Sequence, residues 1–254
     1  MTAPFDLTGR YYDLLYADKD YAGEAGYVAK QLPAGCRTVL ELGSGSGIHA
    51  ALLADAGFQV TGVERSEAML AKARERAAGA GTTARTLEFL PGDARTARLG
   101  RTFDAVISLF HVVSYQTSDD DVAAMFATAA EHLRPGGMFL FDVWYGPAVL
   151  SQRPTVRVKR MRNEQLAVTR TAEPLLHVNR NVVDVHYEIF ATDIATGRID
   201  RIEEDHSMRY FFLPELAAIG RAAGLSLAHA EEWMTGREPS EDTWGVCVAM
   251  RKRG

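Results

Sequence analysis

A single thirteen-residue stretch, TVLELGSGSGIHA at Thr38–Ala50, constrains the fold of this chain most strongly. Its apolar beginning predicts a buried strand, and the glycines at positions 43, 45 and 47 predict a turn that leads into a helix. Glycine lets the backbone approach a ligand closely. In doubly wound α/β proteins, ligands bind outside the carboxyl ends of the strands. The stretch therefore predicts a parallel α/β fold with an adenosine-type cofactor at this turn.

The first 150 residues alternate apolar runs of strand length with segments of helical period, which is typical of a parallel sheet with crossover helices. The sequence thus predicts a doubly wound, mostly parallel sheet. The predicted strands are Thr38–Leu42, Gln59–Glu64, Thr86–Leu90, Phe103–Phe110 and Met138–Trp144. The predicted helices are Tyr21–Leu32, Ile48–Ala56, Glu67–Ala78 and Asp119–Leu133, and the sequence RPGG at Arg134–Gly137 ends the last of them.

From Thr155 the pattern changes to long segments rich in Val, Thr, Arg and Tyr. Their strand-period alternation predicts antiparallel strands, which we interpret as an inserted β lobe over residues 151–212. Residues 1–150 would then form the cofactor-binding core with an N-terminal lid segment. A helix that begins near Pro214, followed by a closing pair of strands, predicts a return to the core sheet over residues 213–254.

Composition narrows the class of partner. The chain has 28 Lys and Arg against 33 Asp and Glu, a net charge of -5, which suits a cationic small substrate better than nucleic acid or an anionic membrane. Charged residues interrupt the N-terminal segment where a signal peptide needs an apolar run, so we expect a cytoplasmic protein. Cys36 and Cys247 are too few for a disulfide framework or a zinc cluster, and no metal is expected.

The spacing around the glycine turn distinguishes between cofactors. The residue three positions after Gly45 is the branched Ile48, where a dinucleotide fingerprint requires a small residue. The carboxylate of Glu41 suits a cationic ligand better than a pyrophosphate. Glu64 ends the second strand, where a carboxylate can accept both ribose hydroxyls. Asp93, in the turn PGDA, can accept from an adenine amino group, or it is a turn residue only.

The segments ELGSGSG, GVERSEAML, PGDAR, FDAVISLF and LRPGGMFLFD occur in the order in which they occur in the class I S-adenosylmethionine-dependent methyltransferases, and the chain resembles that family. The resemblance implies a Rossmann-like methyltransferase fold and S-adenosyl-L-methionine as cofactor. It implies that Glu41–Gly47 holds the methionine part, Glu64 the ribose, and Asp93 with the backbone of Ala94 the adenine. The further cofactor contacts that it implies are Tyr12, Gly43, Ser44, Gly45, Arg65, Met69, Leu109 and Phe110.

The N-terminal segment YYDLLYADKDYAGEA at Tyr11–Ala25 is similar to that of N-methyltransferases which dimethylate deoxyamino sugars on nucleotide carriers in antibiotic pathways. This similarity implies a small amino-sugar acceptor and a covering role for Tyr12 and Tyr16; a tyrosine stripe that packs a helix is the alternative. The similarity fades in the lobe, and Asp142 stands where a glutamate is expected. An aminoglycoside or an oxygen acceptor also fits, as does a binding module that holds the cofactor without catalysis.

Methyl transfer to an amine requires that the acceptor lose a proton, because a free alkylamine has a pKa of about 10. Asp142 ends the fifth strand and is the leading candidate to take that proton. His111, after the fourth strand, is either a second candidate or a wall of the pocket. His206 and Tyr16 complete the catalytic candidates, although His206 shares a predicted strand face with Met208 and would then be a core histidine.

Two charged segments of the lobe point to different acceptors. The acidic segment Glu203–Asp205 favours a polyamine such as an aminoglycoside, whereas the basic segment Arg157–Arg162 favours a nucleotide-linked sugar. The basic segment also fits a solvated edge strand, since its charges divide between the two faces. The net charge favours the polyamine. If neither segment binds the acceptor, the lobe is expected to form a subunit interface in a homodimer.

Overall fold

A computed structural model describes residues 11–79 and 86–254. The helices are α1 (Tyr12–Leu15), α2 (Tyr21–Gln31), α3 (Ile48–Asp55), α4 (Glu67–Gly79), α5 (Asp119–His132), α6 (Gly146–Gln152) and α7 (Leu213–Ala222), with a 3-10 helix at Val112–Tyr115. The strands are β1 (Thr38–Leu42), β2 (Gln59–Glu64), β3 (Leu87–Pro91), β4 (Phe103–Ser108), β5 (Leu133–Tyr145), β6 (Arg157–Arg162), β7 (Leu166–His177), β8 (Val182–Asp193), β9 (Ile199–Phe211), β10 (Leu225–Glu232) and β11 (Gly245–Lys252).

The strands of the core follow the order β3-β2-β1-β4-β5 and are parallel. Strand β11 pairs antiparallel with β5, and β10 pairs antiparallel with β11. Parallel strands of this kind present all their carboxyl ends at one edge of the sheet, where a doubly wound fold binds ligands. The predicted doubly wound, mostly parallel sheet is confirmed.

Strand β1 is held at both ends by hydrogen bonds. Its beginning is fixed by Asp104, whose Oδ2 accepts from the backbone N–H of Arg37 at 2.6 Å and of Thr38 at 3.0 Å. Beyond its end, the N–H groups of Gly43 and Ser44 both donate to the carbonyl of Val63 on β2, at 2.9 and 3.1 Å. These bonds direct the glycine turn to the carboxyl edge of the sheet.

Strands β6 to β9 form an antiparallel sheet in chain order, as the alternating segments predicted. The last of them, β9, ends beside β5 in parallel, pairing at Trp144 with Tyr210 and at Tyr145 with Phe211. The antiparallel strands therefore join the core sheet at the carboxyl edge. Strand β6 is the outermost strand of the sheet, which confirms the edge-strand interpretation of Arg157–Arg162. The division of the chain at residues 150 and 212 stays a prediction.

Two boundaries of the parallel core differ from the prediction by two residues or more, and the others agree to within one residue. Strand β4 ends at Ser108 rather than Phe110, because Phe110 and His111 adopt positive φ angles of 65° and 61° that turn the chain away from the strand. Helix α5 ends at His132, and β5 begins directly at Leu133, so the RPGG segment lies within the assigned strand rather than in a separate loop. Both boundaries lie next to long-range strand pairs that a local pattern does not reveal.

The first described residues pack on the antiparallel sheet. Tyr11 and Leu15 form a buried cluster with Val168, Ile189 and Ala191. This packing places α1 and the following turn over the carboxyl edge of the core. Within the described ranges, no helix is long and apolar enough to cross a membrane.

Gly47 provides a test of the turn that precedes α3. Its φ is +76°, and a Cβ there would lie 2.5 Å from Cζ of Phe89. We expect Gly47→Ala to lower the free energy of unfolding by about 2 kcal/mol or more, since backbone strain and overpacking add. Gly100 has a φ of +66° and open space around it, so Gly100→Ala should show the backbone cost of about 1 kcal/mol alone. Urea unfolding measures both, and equal losses would contradict the packing role of Gly47.

Candidate functional site

A cavity of about 380 Å³ lies at the carboxyl edge of the core sheet, beside the glycine turn. We name it the cofactor cavity. The structure places all but one of the predicted cofactor contacts in its wall. They are Glu41, Gly43, Ser44, Gly45, Glu64, Arg65, Met69, Asp93, Ala94, Leu109 and Phe110. The remaining residue, Tyr12, lies in α1, and its side chain lies outside the described residues.

Glu64 connects the end of β2 to the glycine turn. Its Oε2 accepts from the backbone N–H of Gly45 at 2.8 Å, and its Oε1 accepts from that of Ser66 at 2.8 Å. These bonds fix the carboxylate in the wall of the cavity. Each carboxylate oxygen has further lone pairs, so both remain able to accept from a ligand hydroxyl.

Glu41 is buried without a counter-charge. Only 1% of the residue is exposed, and its Oε2 has no hydrogen-bond partner among the described residues. Burial, followed by the nearby charge of Glu64, raises the pKa of Glu41 to about 8. A buried carboxylate in a cavity wall with a free oxygen is complementary to a cationic ligand.

At the other end of the cavity, Asp93 is held by an arginine that the sequence analysis did not single out. Arg95 donates its Nε to Oδ1 at 2.9 Å and its Nη2 to Oδ2 at 2.6 Å. These hydrogen bonds hold the pKa of Asp93 below its usual value. Arg95 follows in the quoted segment PGDAR, but nothing in the local pattern indicates that its side chain turns back onto Asp93.

A second cavity, of about 660 Å³, shares Phe110 with the first. We name it the acceptor chamber. It contains three of the four catalytic candidates: Tyr16, His111 and Asp142. The sequence analysis missed its other prominent aromatic walls, Trp233 and Trp244, which come from the segment between β10 and β11. Pairing of β11 with β5 brings that segment to the site.

Asp142 is the most buried polar group of the chamber, with 3% of the residue exposed. Its Oδ2 accepts from the backbone N–H of His111 at 3.1 Å, and the Nδ1 of His111 lies 2.7 Å from the same oxygen. The ring nitrogen is close enough for an ion pair but not aligned for a hydrogen bond. The other oxygen, Oδ1, has no partner among the described residues. The chamber thus contains a buried carboxylate that can accept a hydrogen bond from a ligand.

The segment around α1 provides the outer wall of the chamber. The ring of Tyr16 meets that of Phe110 edge to face at 5.0 Å, and Arg170 of β7 lies over the Tyr16 ring at 5.6 Å. Lys19 lies 4.5 Å from the centroid of Phe110 and binds the carboxylate of Glu24. Tyr16 and Lys19 therefore lie against Phe110, the residue that lines both cavities.

His206, the fourth catalytic candidate, lines neither of the two described cavities. It is 5% exposed, its Nδ1 lies 2.8 Å from the hydroxyl of Tyr115, and its Nε2 lies 3.2 Å from Glu204. The structure does not bring His206 together with the other three candidates, and its packing agrees with the alternative of a core histidine. The physical reason is its position on the inner face of β9, which packs on the 3-10 helix.

The three carboxylates of the acidic segment of β9 lie in different surroundings. Successive side chains of a strand point to opposite faces, which separates Glu204 from Glu203 and Asp205. Glu203 is exposed and pairs with Arg201 at 2.6 Å, whereas Glu204 is buried against His206. Asp205 alone lines the cofactor cavity.

Comparison with known proteins decides the family. A model described as a methyltransferase domain matches residues 39–137. Over 231 residues the chain is 31% identical to a dTDP-3-amino-3,4,6-trideoxy-alpha-D-glucopyranose N,N-dimethyltransferase from Streptomyces venezuelae, covering 89% of this chain and 93% of that enzyme. The chain belongs to the S-adenosylmethionine-dependent methyltransferases. The resemblance seen in the sequence is confirmed.

Solved structures agree with this assignment. The methyltransferase has a TM-score of 0.75 and 29% identity to an S-adenosylmethionine-bound amino pentose methyltransferase from Micromonospora echinaspora involved in calicheamicin biosynthesis, over 95% of this chain and 97% of that one. An S-adenosylmethionine-dependent methyltransferase from Clostridium acetobutylicum has a TM-score of 0.82 at 19% identity, covering 98% and 99% of the two chains; at this identity the likeness concerns the fold. The cofactor of the methyltransferase is S-adenosyl-L-methionine.

The cofactor cavity fits this group on its own chemistry. S-adenosylmethionine carries a sulfonium and an ammonium, and the free Oε2 of Glu41 is the buried acceptor that a cation requires. Gly45 has a φ of +54° with no heavy atom within 4 Å of the position of a Cβ. The backbone of the turn is therefore open to a ligand.

The pKa of Glu41 generates a test that does not depend on turnover. At pH 7 a carboxyl with a pKa of about 8 is mostly protonated, and a bound cation lowers that pKa, so binding should release close to one proton. We expect the heat of S-adenosylhomocysteine binding to differ between phosphate and Tris buffers. The difference should disappear in Glu41→Gln and persist in Glu67→Gln, which alters an exposed residue of α4. A buffer-independent heat for the parent protein would contradict a cation contact at Glu41.

The same pKa predicts the stability of the ligand-free methyltransferase. A carboxyl whose pKa is raised on folding retains its proton while the unfolded chain loses it, so stability falls as pH rises from about 4.5 to about 8. Glu41→Gln removes this loss. We expect its midpoint of thermal unfolding to exceed that of the parent more at pH 8 than at pH 5, and a constant difference would be evidence against the buried charge.

Proposed function

We propose that this methyltransferase transfers a methyl group from S-adenosylmethionine to the amine of an amino sugar in the acceptor chamber. The observation that supports the proposal most is Asp142, a buried carboxylate of the chamber whose Oδ1 has no partner among the described residues. The names of the relatives also support it, since one dimethylates a dTDP-linked aminodeoxy sugar and another is an amino pentose methyltransferase.

We propose roles for the residues of the cofactor cavity on the basis of their positions. Glu64 accepts the ribose hydroxyls, because backbone N–H groups hold its carboxylate at the end of β2. Glu41 and the glycine turn hold the methionine part. Asp93 and Ala94 contact the adenine. Arg65, 3.8 Å from Asp93, lies at the same end of the cavity.

When bound, S-adenosylmethionine supplies an electrophilic methyl group for an in-line displacement. The protein then has to orient the amine, exclude water and accept a proton. Asp142 Oδ1 accepts an N–H of the acceptor and so orients its nitrogen. The proton that leaves the amine moves to this carboxylate, which the backbone N–H of His111 holds in place by donating to Oδ2 at 3.1 Å. Tyr16 closes the chamber on the solvent side, and Phe110 closes it on the cofactor side.

An oxygen acceptor is the second candidate, because a carboxylate also accepts from a hydroxyl. The buried, unpartnered oxygen of Asp142 favours an amine, since an ammonium adds a charge to the hydrogen bond. A homodimer and a cytoplasmic location stay predictions from the sequence. Mass spectrometry of the product decides between nitrogen and oxygen, and S-adenosylmethionine binding without methylation of any acceptor would favour the non-catalytic module.

Glu64 is the first residue to test. Glu64→Gln keeps the shape of the side chain and removes its charge, so we expect calorimetry to show S-adenosylhomocysteine binding weakened by about 2 kcal/mol. Glu75→Gln on the exposed face of α4 serves as the matched control and should bind as the parent does. An unchanged affinity in Glu64→Gln would remove the ribose contact from the proposal.

Asp142 is the second residue to test. Asp142→Asn should lower kcat by about 100-fold or more and leave cofactor affinity nearly unchanged, because the amide keeps the shape of the carboxylate and loses its basicity. Asp120→Asn, an exposed change in the first turn of α5, is the control. If kcat of Asp142→Asn equals that of the parent from pH 6 to pH 9, Asp142 has no part in proton removal.

A further inference from the structure

The lining of the acceptor chamber is strongly acidic. Among the described residues that line it, carboxylates outnumber cationic side chains, and Lys19 is the one lysine. The carboxylates are Asp18, Glu24, Asp142, Glu232 and Asp242. These groups come from four separate parts of the chain, so the excess of negative charge is a property of the chamber and not of one run of sequence.

Nearby cations are already bound to these carboxylates. Lys19 binds Glu24, and Lys159 of β6 binds Asp18 at 2.6 Å. The guanidinium of Arg237, outside the lining, binds Glu232 at 2.7 Å. Each of these cations is therefore compensated by a carboxylate of the chamber.

Two carboxylates keep capacity for a ligand. Asp242 is exposed and accepts from the amide Nε2 of Gln152 at 3.2 Å, and no cation of the described residues pairs with it. Asp142 is buried and has its Oδ1 unpartnered. This unpartnered, buried oxygen is independent of the acidic composition and itself indicates a ligand that donates hydrogen bonds.

Aromatic rings cover the rest of the chamber. The rings of Trp144 and Trp244 lie nearly perpendicular, with centroids 6.1 Å apart, and Trp233 lines the same chamber. Indole faces stack on the apolar faces of sugar rings and attract ammonium groups through their quadrupole. Carboxylates together with indoles thus form a surface for a sugar that carries ammonium groups.

The same surface disfavours a phosphate. A diphosphate adds two negative charges and is recognised by arginine, lysine or clustered backbone N–H groups. Arg170 of β7 stacks on Tyr16 and Tyr187 and does not line the chamber. A diphosphate in the chamber would meet an excess of carboxylates, and like charges in contact reduce binding strongly.

We infer that the acceptor is an amino sugar with at least two ammonium groups and no phosphate, in contrast to the dTDP-linked sugar named for the Streptomyces venezuelae relative. This inference rests on the proposed function, since it assigns the substrate class of the same chamber. One amine contacts Asp142, and a second ammonium contacts Asp242 in the acidic wall that it forms with Glu232, whose charge Arg237 balances.

The test compares three probes on the protein saturated with S-adenosylhomocysteine: neamine, which carries several amines, D-glucosamine, which carries one, and UDP-glucosamine. Calorimetry should show neamine binding at least about tenfold more tightly than glucosamine, with an affinity that falls as salt is added, and no measurable binding of UDP-glucosamine. Tighter binding of UDP-glucosamine than of neamine would overturn the inference.

Charge variants give the reciprocal readout. The double variant Glu232→Gln with Asp242→Asn leaves Arg237 uncompensated, so neamine binding should weaken by about tenfold while UDP-glucosamine gains affinity. Glu203→Gln, an exposed carboxylate outside the chamber, is the matched control and should change neither. Equal effects in the double variant and the control would overturn the assignment of the acidic wall.

Methylation by the parent protein separates this inference from the proposed function. Transfer to UDP-glucosamine but not to neamine would overturn the inference and leave amino-sugar methylation in place. Transfer to none of the three probes, together with tight S-adenosylhomocysteine binding, would overturn both.

Discussion

Two buried carboxyl groups, Glu41 near the end of β1 and Asp142 near the end of β5, constrain what this site can bind. Each has an oxygen without a partner among the described residues, and each lines a cavity. A buried polar group without a hydrogen-bond partner is unfavourable in the ligand-free protein, so both positions gain most when a cation or a hydrogen-bond donor binds. We propose that the cofactor supplies the cation at the first position and that the acceptor amine supplies the donor at the second.

The fold places these carboxylates at the same edge and separates them by one strand. Strand β4 lies between β1 and β5, and the chain after β4 turns sharply at Phe110 and His111. This turn aims the N–H of His111 at Asp142 and leaves the Phe110 ring between the two cavities. In the proposed reaction the methyl group crosses this boundary, and we propose that the positive φ angles there serve the geometry of transfer.

The sequence predicted the parts of the site that are local in the chain. Strand β1, its glycine turn and the carboxylate of Glu64 lie within short segments whose periodicity and spacing are diagnostic, and the structure places them in one cavity. Residues 233 and 244 were not predicted to line the chamber, because they reach it only through the antiparallel register of β11 with β5, in which Cys247 pairs with Asp142. For His206 the local pattern was sufficient. Strand alternation indicated a core position, which the structure shows, whereas the acidic residues beside it in the sequence suggested a catalytic site.

Two basic residues of the lobe, Lys159 and Arg170, bind the segment around α1. Lys159 donates to the carbonyl of Leu15 at 3.1 Å and to Asp18 at 2.6 Å, and Arg170 donates to the hydroxyl of Tyr16 at 3.3 Å. Cations engaged in this way hold the N-terminal segment, and with it Tyr16, over the chamber. The lobe therefore positions one wall of the chamber, and Lys159 of β6 has a structural role that does not involve a phosphate. The same contacts explain how a lobe whose Glu203 and Glu204 lie outside the chamber still determines its shape.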